Sequence, residues 1–183
     1  MEVVRVESES LLSECLEIRR VVLQIGQNVP KEKENDLFDR ICYSDGECTH
    51  FACIVQSKTA ATCRIRRSGV AFLQLERVAV LEQFQGKGVG RTLTKFVLEF
   101  CSQNFPELLV RTYSIVHVAE FYKKLGFIFA SDVFYEANIA HRSMILPPKT
   151  KTLCAELLIW KLDSNESDIN PAKEVLKDFY GAD

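Results

Sequence analysis

The residues with the clearest chemical use form one glycine-rich segment, Gln85-Gly86-Lys87-Gly88-Val89-Gly90-Arg91. Glycine permits backbone conformations and close approaches that a side chain would prevent. The segment lies directly before an apolar repeat of helical period, and the first turn of a helix leaves several N–H groups without an internal partner. Such N–H groups bind phosphate or pyrophosphate. The sequence therefore predicts an anion-binding turn at residues 85–91.

A strand before this turn and a helix after it must position the N–H groups. Residues 73–80 have the pattern of a buried strand, and Leu93, Phe96, Val97 and Phe100 recur at helical spacing. The glycine spacing G-x-G-x-G differs from the dinucleotide fingerprint G-x-G-x-x-G, and no Gly-Lys followed by Ser or Thr forms a P-loop. The turn therefore belongs to neither of these nucleotide-binding classes.

The apolar face of the strand changes parity midway. Leu73 and Leu75 share one parity, whereas Val78 and Val80 share the other, so the face switches around residues 76–77. A β-bulge produces such a slip, and bulges are common beside active sites. A strand buried on both faces would give the same pattern. The pattern alone leaves both interpretations open.

The first part of the chain predicts a strand at residues 2–6, a helix and a hairpin. The helix carries its apolar stripe on Leu11, Cys15, Ile18, Val22 and Ile25 and ends near Gly26. The charged run 31–36 indicates a solvated loop or helix start, or else a binding surface. Leu37, Phe38 and Ile41 predict a short second helix. Hairpin strands follow at 50–56 and 60–67, where Arg64 and Arg66 are expected on a solvated face.

The second part predicts a strand at 108–110 and a helix with Val118, Phe121, Tyr122 and Leu125 on one face. Ser114 is a candidate N-cap for this helix, and Gly126 a candidate end. Residues 127–130 and 142–146 favour extended structure. Further along, the pattern predicts a strand or helix at 153–162, a linker at 164–168 and a helix at 171–180.

Composition limits the function classes. A chain of 183 residues with 47% apolar content is typical of one globular domain. The net charge of −2 gives no reason to expect nucleic acid or membrane binding. The seven cysteines include no CxxC pair, so we expect reduced thiols and no metal. Because the first residues lack the apolar run of a signal peptide, we expect a cytoplasmic protein.

Two motifs in this order resemble those of the GCN5-related N-acetyltransferase (GNAT) superfamily. The strand Leu75-Glu76-Arg77-Val78-Ala79-Val80 and the glycine segment are similar to its central strand and its (Gln/Arg)-x-x-Gly-x-Gly/Ala signature. Phe121-Tyr122-Lys123-Lys124-Leu125-Gly126-Phe127 is similar to its second signature. The resemblance covers about residues 3–146 and implies an α/β fold with a mixed, mostly antiparallel central sheet flanked by helices. Residues 1–148 would form the acetyltransferase domain, and 149–183 an extension that packs on it or at a homodimer interface.

The resemblance implies acetyl-CoA as co-substrate and no metal. Its pyrophosphate would bind the glycine turn, and its pantetheine arm and acetyl group would bind the backbone of the central strand. Ser114 stands where many relatives place Asn or Gln against the pantetheine arm. The implied cofactor-binding residues are Val78, Ala79, Val80, Gln85, Gly86, Lys87, Gly88, Val89, Gly90, Arg91 and Ser114.

The resemblance also implies catalytic roles. Tyr122 matches the residue that protonates the departing thiolate, although its apolar stripe equally suits a core aromatic. Glu76 is our candidate general base, directly or through water, and a structural or solvent-facing Glu76 stays an alternative. Arg77, His141 and Arg142 are assigned to the acceptor. An arginine can bind a phosphate through two hydrogen bonds.

The predicted function is acetyl transfer from acetyl-CoA to the primary amine of a small molecule. An amino-sugar phosphate such as glucosamine 6-phosphate is our specific candidate, on the strength of Arg142 and of similarity to related enzymes. The alternatives are an acetyltransferase for protein N-termini or lysines, and a non-catalytic protein that binds acyl-CoA.

Overall fold

The computed structural model describes residues 1–41 and 47–147. The described residues divide into two compact units, one made of Met1–Arg67 and Leu75–Phe100, and the other of Ser68–Gln74 and residues 101–147. The elements predicted at 153–162, 164–168 and 171–180, and the extension 149–183, lie outside the described residues.

The first unit combines strands with helices that cover its apolar residues. In chain order it contains β1 (Glu2–Arg5), α1 (Glu9–Arg19) with a π-helical continuation (Arg20–Ile25), α2 (Lys31–Glu34), β2 (Cys48–Val55), β3 (Lys58–Ser68), the later part of β4 (Phe72–Val80) and most of α3 (Val89–Asn104). The strand order is β1-β2-β3-β4, and β2 pairs antiparallel with both β1 and β3. Leu12 and Cys15 of α1 pack with Val6 and Ala52 in one core cluster.

Local sequence explains how these elements begin and end. The Ser8 side chain accepts a hydrogen bond from Leu11 N at 3.3 Å and caps α1. Gln56 and Ser57 both have positive φ, 49° and 60°, which is the two-residue turn that suits the twist of a hairpin. The predicted helix ending near Gly26 and the predicted hairpin are therefore confirmed.

The second helix was predicted at the wrong place. It covers Lys31–Glu34 rather than Leu37, Phe38 and Ile41. Residues 36–39 form a turn instead, in which Asp36 Oδ1 accepts from Phe38 N and Asp39 Oδ2 accepts from Asp36 N. Aspartate side chains that bond neighbouring backbone N–H groups favour turns over helix, which explains the difference.

The second unit is built around a parallel and several antiparallel strand pairs. Phe72–Gln74 of β4 pair parallel with β5 (Leu109–Ile115), which pairs antiparallel with β8 (Ile139–Leu146). Strand β8 also pairs with β6 (Ile128–Phe129) and β7 (Phe134–Glu136). Helix α4 (Ala119–Lys123) lies between β5 and β6 in the chain. The predicted mixed α/β fold with a mostly antiparallel sheet is confirmed.

The end of α4 was predicted correctly, but its beginning was not. Gly126 follows the helix with φ of 95°, as expected for a terminating glycine. Ser114 is not its N-cap, because Ser114 lies within β5, where its Oγ donates to Ile115 O at 3.0 Å. A 3₁₀ turn, Val116–Val118, precedes the helix, and Val118 provides no side-chain cap.

Candidate functional site

The glycine segment forms an exposed turn that leads into α3. Gly86 and Gly88 have φ of 71° and 80°, a left-handed conformation that other residues rarely adopt. A Cβ atom at either position would meet no atom within 4 Å. The two glycines are therefore required for backbone conformation, and the space beside them is open.

The start of α3 presents N–H groups beside this turn. Its first bond runs from Thr92 N to Gly88 O at 2.9 Å, so the preceding N–H groups have no acceptor within the helix. Val89 and Leu93 are buried and fix the first turn on the core, whereas Lys87 and Arg91 are exposed cations. N–H groups without an acceptor in the helix, a helix dipole and two cations together favour a bound anion.

Two contacts fix the turn to the end of β4. Gln85 Nε2 donates to Val80 O at 2.9 Å. Gly90 lies so close to the strand that a Cβ there would be 3.3 Å from Val80 Cγ2. The structure thus brings together Val80, Gln85 and Gly90, three of the predicted cofactor-binding residues. It also shows that the Val80 carbonyl already accepts a hydrogen bond from the protein.

Strand β4 contains a backbone irregularity where its sequence pattern changes. Arg77 has φ of 56°, which for a residue with a Cβ atom costs on the order of 1–3 kcal/mol. Residues 73–75 are all buried, so both faces of the strand are covered there. Beyond the irregularity Ala79 is buried, whereas Val78 and Val80 are half-buried. A strand buried on both faces and a break at Arg77 therefore both contribute to the pattern.

Glu76, the candidate base, is held by two arginines from β3. Its Oε1 accepts from Arg64 Nε at 2.8 Å and from Arg66 Nε at 3.2 Å. The prediction that Arg64 and Arg66 lie on a solvated face is wrong, because Arg64 is fully buried and Arg66 is half-buried. Residues 60–65 are buried without interruption, so β3 has no solvated face there. A charge in such a strand requires oppositely charged partners.

Arg64 belongs to a larger charge cluster that was not predicted from the sequence. Among the described residues the cluster contains four arginines and four carboxylates: Arg19, Arg64, Arg66, Arg77, Glu34, Asp36, Asp39 and Glu76. Arg64 contacts Asp36 at 2.6 Å and Asp39 at 2.9 Å. Arg19 donates to carboxylate oxygens of Glu34 and Asp39. The equal numbers of positive and negative groups allow these side chains to be buried together.

The ion pairs shift the proton equilibria of the cluster. Burial opposes ionisation of Asp36, but hydrogen bonds and charge from Arg64 outweigh it and lower the pKa of Asp36 to about 2. Burial likewise opposes the charge of Arg64, yet Asp36 and Glu76 raise its pKa above the ordinary value. Both groups therefore carry their full charges at neutral pH.

The predicted acceptor and pantetheine residues of the second unit are neighbours on β5 and β8. Ser114 is paired in register with Arg142, and Ile115 with His141. Arg142 Nε donates to Ser131 O at 3.0 Å, and its guanidinium lies 3.6 Å from the centre of the Phe129 ring. His141 Nδ1 lies 2.8 Å from Ile139 O. The register thus brings Ser114 and Arg142 together.

Tyr122 is buried on α4. Its ring contacts those of Phe121 and Phe127, with centroid distances of 5.0 and 5.5 Å. Its backbone carbonyl accepts from Leu125 N and Phe127 N, which fixes the end of the helix. This position suits a core aromatic, and the two ring contacts fix the orientation of the side chain.

The described ranges, 1–41 and 47–147, contain no group of three or more His, Cys, Asp or Glu side chains placed to hold a metal ion. Within these same ranges no helix has the length and apolar character needed to span a membrane.

Comparison with known proteins identifies the family. Residues 28–147, more than half of the chain, match the family described as acetyltransferase (GNAT) domain. A Bacillus subtilis (strain 168) protein named as an acetyltransferase is 30% identical over 141 residues, which are 77% of this chain and 92% of that protein.

Solved structures share the fold. The crystal structure of Escherichia coli ElaA aligns with a TM-score of 0.71 and 28% identity, covering 80% of this chain and all of ElaA. An acyl-CoA N-acyltransferase from Pseudomonas aeruginosa aligns with a TM-score of 0.71 and 20% identity, covering 80% of this chain and 99% of that one. The glycine turn beside the broken strand, the sheet and these matches agree: the chain belongs to the GNAT family and is an acetyl-CoA-dependent N-acetyltransferase.

Proposed function

We propose that this enzyme acetylates the primary amine of a small molecule, and that the turn at residues 85–91 binds the pyrophosphate of acetyl-CoA. The observation that carries this proposal is the pair of left-handed glycines, Gly86 and Gly88, directly before the first N–H groups of α3, which have no acceptor within the helix. The exposed side chains of Lys87 and Arg91 add positive charge at the same place. The remaining cofactor contacts would come from Val78, Ala79 and Val80 beside the break at Arg77.

The reaction needs three groups besides the bound substrates. The amine nitrogen attacks the thioester carbon, and the carbonyl oxygen becomes an oxyanion that a backbone N–H of residues 78–80 can stabilise. The carbon–sulfur bond then breaks, and the thiolate takes a proton from the Tyr122 hydroxyl. The amine loses its proton to Glu76, directly or through water.

The hydrogen bonds of Glu76 and of Ser114, the proposed pantetheine contact, show which of their atoms could take part. Glu76 Oε1 is held by Arg64 and Arg66, so the proton would pass to Oε2. Ser114 Oγ donates to Ile115 O and keeps lone pairs that can accept from an amide N–H of the pantetheine arm.

Replacing Tyr122 by Phe tests the proton donor. The variant keeps the ring that packs on Phe121 and Phe127 and removes only the hydroxyl. We expect kcat to fall by about 100-fold or more, as is typical for loss of a general acid. Affinity for acetyl-CoA, measured by calorimetry, should stay within about twofold, because binding does not use the proton. An unchanged kcat would show that another group protonates the thiolate.

For the acceptor we propose an amino-sugar phosphate such as glucosamine 6-phosphate. The support is Arg142, which uses its Nε for Ser131 O. Among the described residues its two terminal nitrogens make no hydrogen bond. These nitrogens have the geometry to bind a phosphate through two bonds, and the stack on Phe129 would hold the guanidinium in place.

A turnover screen that records thiol release tests the acceptor. The panel contains glucosamine 6-phosphate, glucosamine as the matched compound without phosphate, a polyamine and lysine peptides. We expect release with the phosphorylated sugar, and a KM for it that rises at least about tenfold in Arg142→Gln, the loss expected for a charged hydrogen-bond pair. Equal turnover of glucosamine and its phosphate would refute the phosphate assignment. Turnover of peptides alone would instead make this a protein acetyltransferase.

A further inference from the structure

We propose that Arg77 is a positioning residue, whose side chain clamps the break in β4 to α2 and so sets the direction of the backbone N–H groups beside it. This inference rests on the proposed function, which assigns those N–H groups to the acetyl group and pantetheine arm. It gives Arg77 a different role from the acceptor binding that was assigned to it with the family resemblance.

Within the part of the chain that the structure describes, the Arg77 side chain makes three polar contacts, all with α2 and the residues that follow it. Nη2 donates to Lys33 O at 2.9 Å and lies 3.5 Å from Asp36 Oδ2. Nε lies 2.9 Å from Glu34 Oε2 as an ion pair without directed hydrogen-bond geometry. The guanidinium is therefore committed to the protein.

The groups that Arg77 contacts are themselves held in place by other arginines. Glu34 is 1% exposed, and both its carboxylate and its backbone carbonyl accept hydrogen bonds from the buried Arg19. Asp36 is held by Arg64 through two hydrogen bonds of 2.6 and 2.7 Å. A side chain anchored to such groups cannot move far, so Arg77 is fixed relative to α2.

The contacts of the Arg77 side chain explain the unusual backbone conformation of this residue. Its φ of 56° is unfavourable for a residue with a Cβ atom, and strand neighbours alone would favour the extended conformation. Rotation toward that conformation would reorient the peptide units on both sides, including the N–H of Val78. The clamp thus keeps the strand broken at the place where the thioester is proposed to bind.

Two substitutions at position 77, Arg77→Gly and Arg77→Asn, distinguish the effect of the arginine side chain from the effect of the positive backbone φ. Glycine and asparagine both tolerate positive φ, but glycine has no side chain and that of asparagine is too short to reach α2. If the clamp positions the N–H groups, both variants should lose about 10- to 100-fold in kcat, the effect of a small misplacement of a catalytic group. KM for the acceptor should change by less than about threefold. Arg77→Lys, which restores a cation near Glu34, should have a kcat above that of Arg77→Gly.

The experiment compares steady-state kinetics, melting temperatures and affinity for CoA. Arg20→Gln is the matched control, since Arg20 forms an exposed ion pair with Glu17 on the outside of α1, and it should behave as the wild type. Wild-type kcat in Arg77→Gly or in Arg77→Asn would overturn the clamp, because the break would then form without α2. A raised acceptor KM with unchanged kcat would also overturn it and restore the acceptor-binding role.

A failure of the proposed function would give a different result from a failure of the clamp. A wild-type enzyme that releases no thiol with any amine would refute the proposed acceptor class before any variant is compared. An active wild type with unaffected Arg77 variants would refute only the clamp. A kcat of Arg77→Lys at or below that of Arg77→Gly would likewise count against it.

Discussion

Gly88→Ala distinguishes the role of Gly88 in folding from its proposed role in CoA binding. The Cβ atom would meet nothing within 4 Å, so no steric clash contributes. The cost to folding is the left-handed φ of 80°, on the order of 1 kcal/mol for alanine. For a chain of this length that amounts to a decrease in melting temperature of about 2–4 °C.

The effect on CoA binding should be larger than the effect on folding. If the turn shifts to relieve the φ strain, at least one N–H bond to the pyrophosphate is lost, and a hydrogen bond to a charged group contributes about 1.5–3 kcal/mol. This corresponds to an increase in Kd for CoA of about 10- to 100-fold. Isothermal calorimetry with CoA and a thermal melt of the same sample give the two quantities.

Gly69→Ala provides the control that makes this prediction refutable. Gly69 also has positive φ, 67°, and a Cβ atom there would likewise meet nothing within 4 Å, but it lies between β3 and β4, outside the proposed turn. Both variants should therefore lose the same stability, whereas only Gly88→Ala should lose affinity for CoA. Equal affinities of the two variants would refute the pyrophosphate assignment.

Two further predictions concern the charge cluster. Arg64→Met leaves Asp36, Asp39 and Glu76 without a shared partner and should cost about 3–5 kcal/mol in urea unfolding; a loss below about 1 kcal/mol would show that water replaces the arginine. In acid, the contribution of Asp36, whose pKa is lowered from 3.8 to about 2, is complete above about pH 4 and is lost as the pH falls through about 2. Melting temperatures over this range should fall more steeply for the wild type than for Asp36→Asn, and parallel curves would contradict the assignment.

The turn and its two flanking elements could be predicted from the sequence because their signals are local. The positive φ values of Gly86 and Gly88 belong to residues that adopt them without strain, and the helical repeat begins directly after them. The change of parity in the apolar pattern lies at the same residues as the break at Arg77, but the pattern was equally consistent with a strand buried on both faces. Local rules failed at residues 36–41, where aspartate side chains bond to nearby backbone N–H groups and prevent the predicted helix.

The charge cluster could not be predicted from local patterns, because its members come from residues far apart in the chain. Arg64 donates to Asp36, 28 positions away, and to Glu76, 12 positions away. A signal did exist in β3: Arg64 stands between Cys63 and Ile65, and an arginine in a strand buried on both faces requires carboxylates nearby. The carboxylates at positions 34, 36 and 39 could have been matched to it.

The charge cluster contacts both the proposed base and the break in β4, which belong to the first unit. Arg64 holds Glu76, the proposed base, and the same guanidinium holds Asp36, which contacts Arg77 at the break in β4. Loss of Arg64 should therefore affect both proton transfer and the positioning of the backbone N–H groups beside the break, whereas loss of Arg77 should affect only the second. A buried ion-pair network adds little net stability compared with apolar packing. In this enzyme the network fixes Glu76, the proposed base, and Arg77, at the break in β4, in one arrangement.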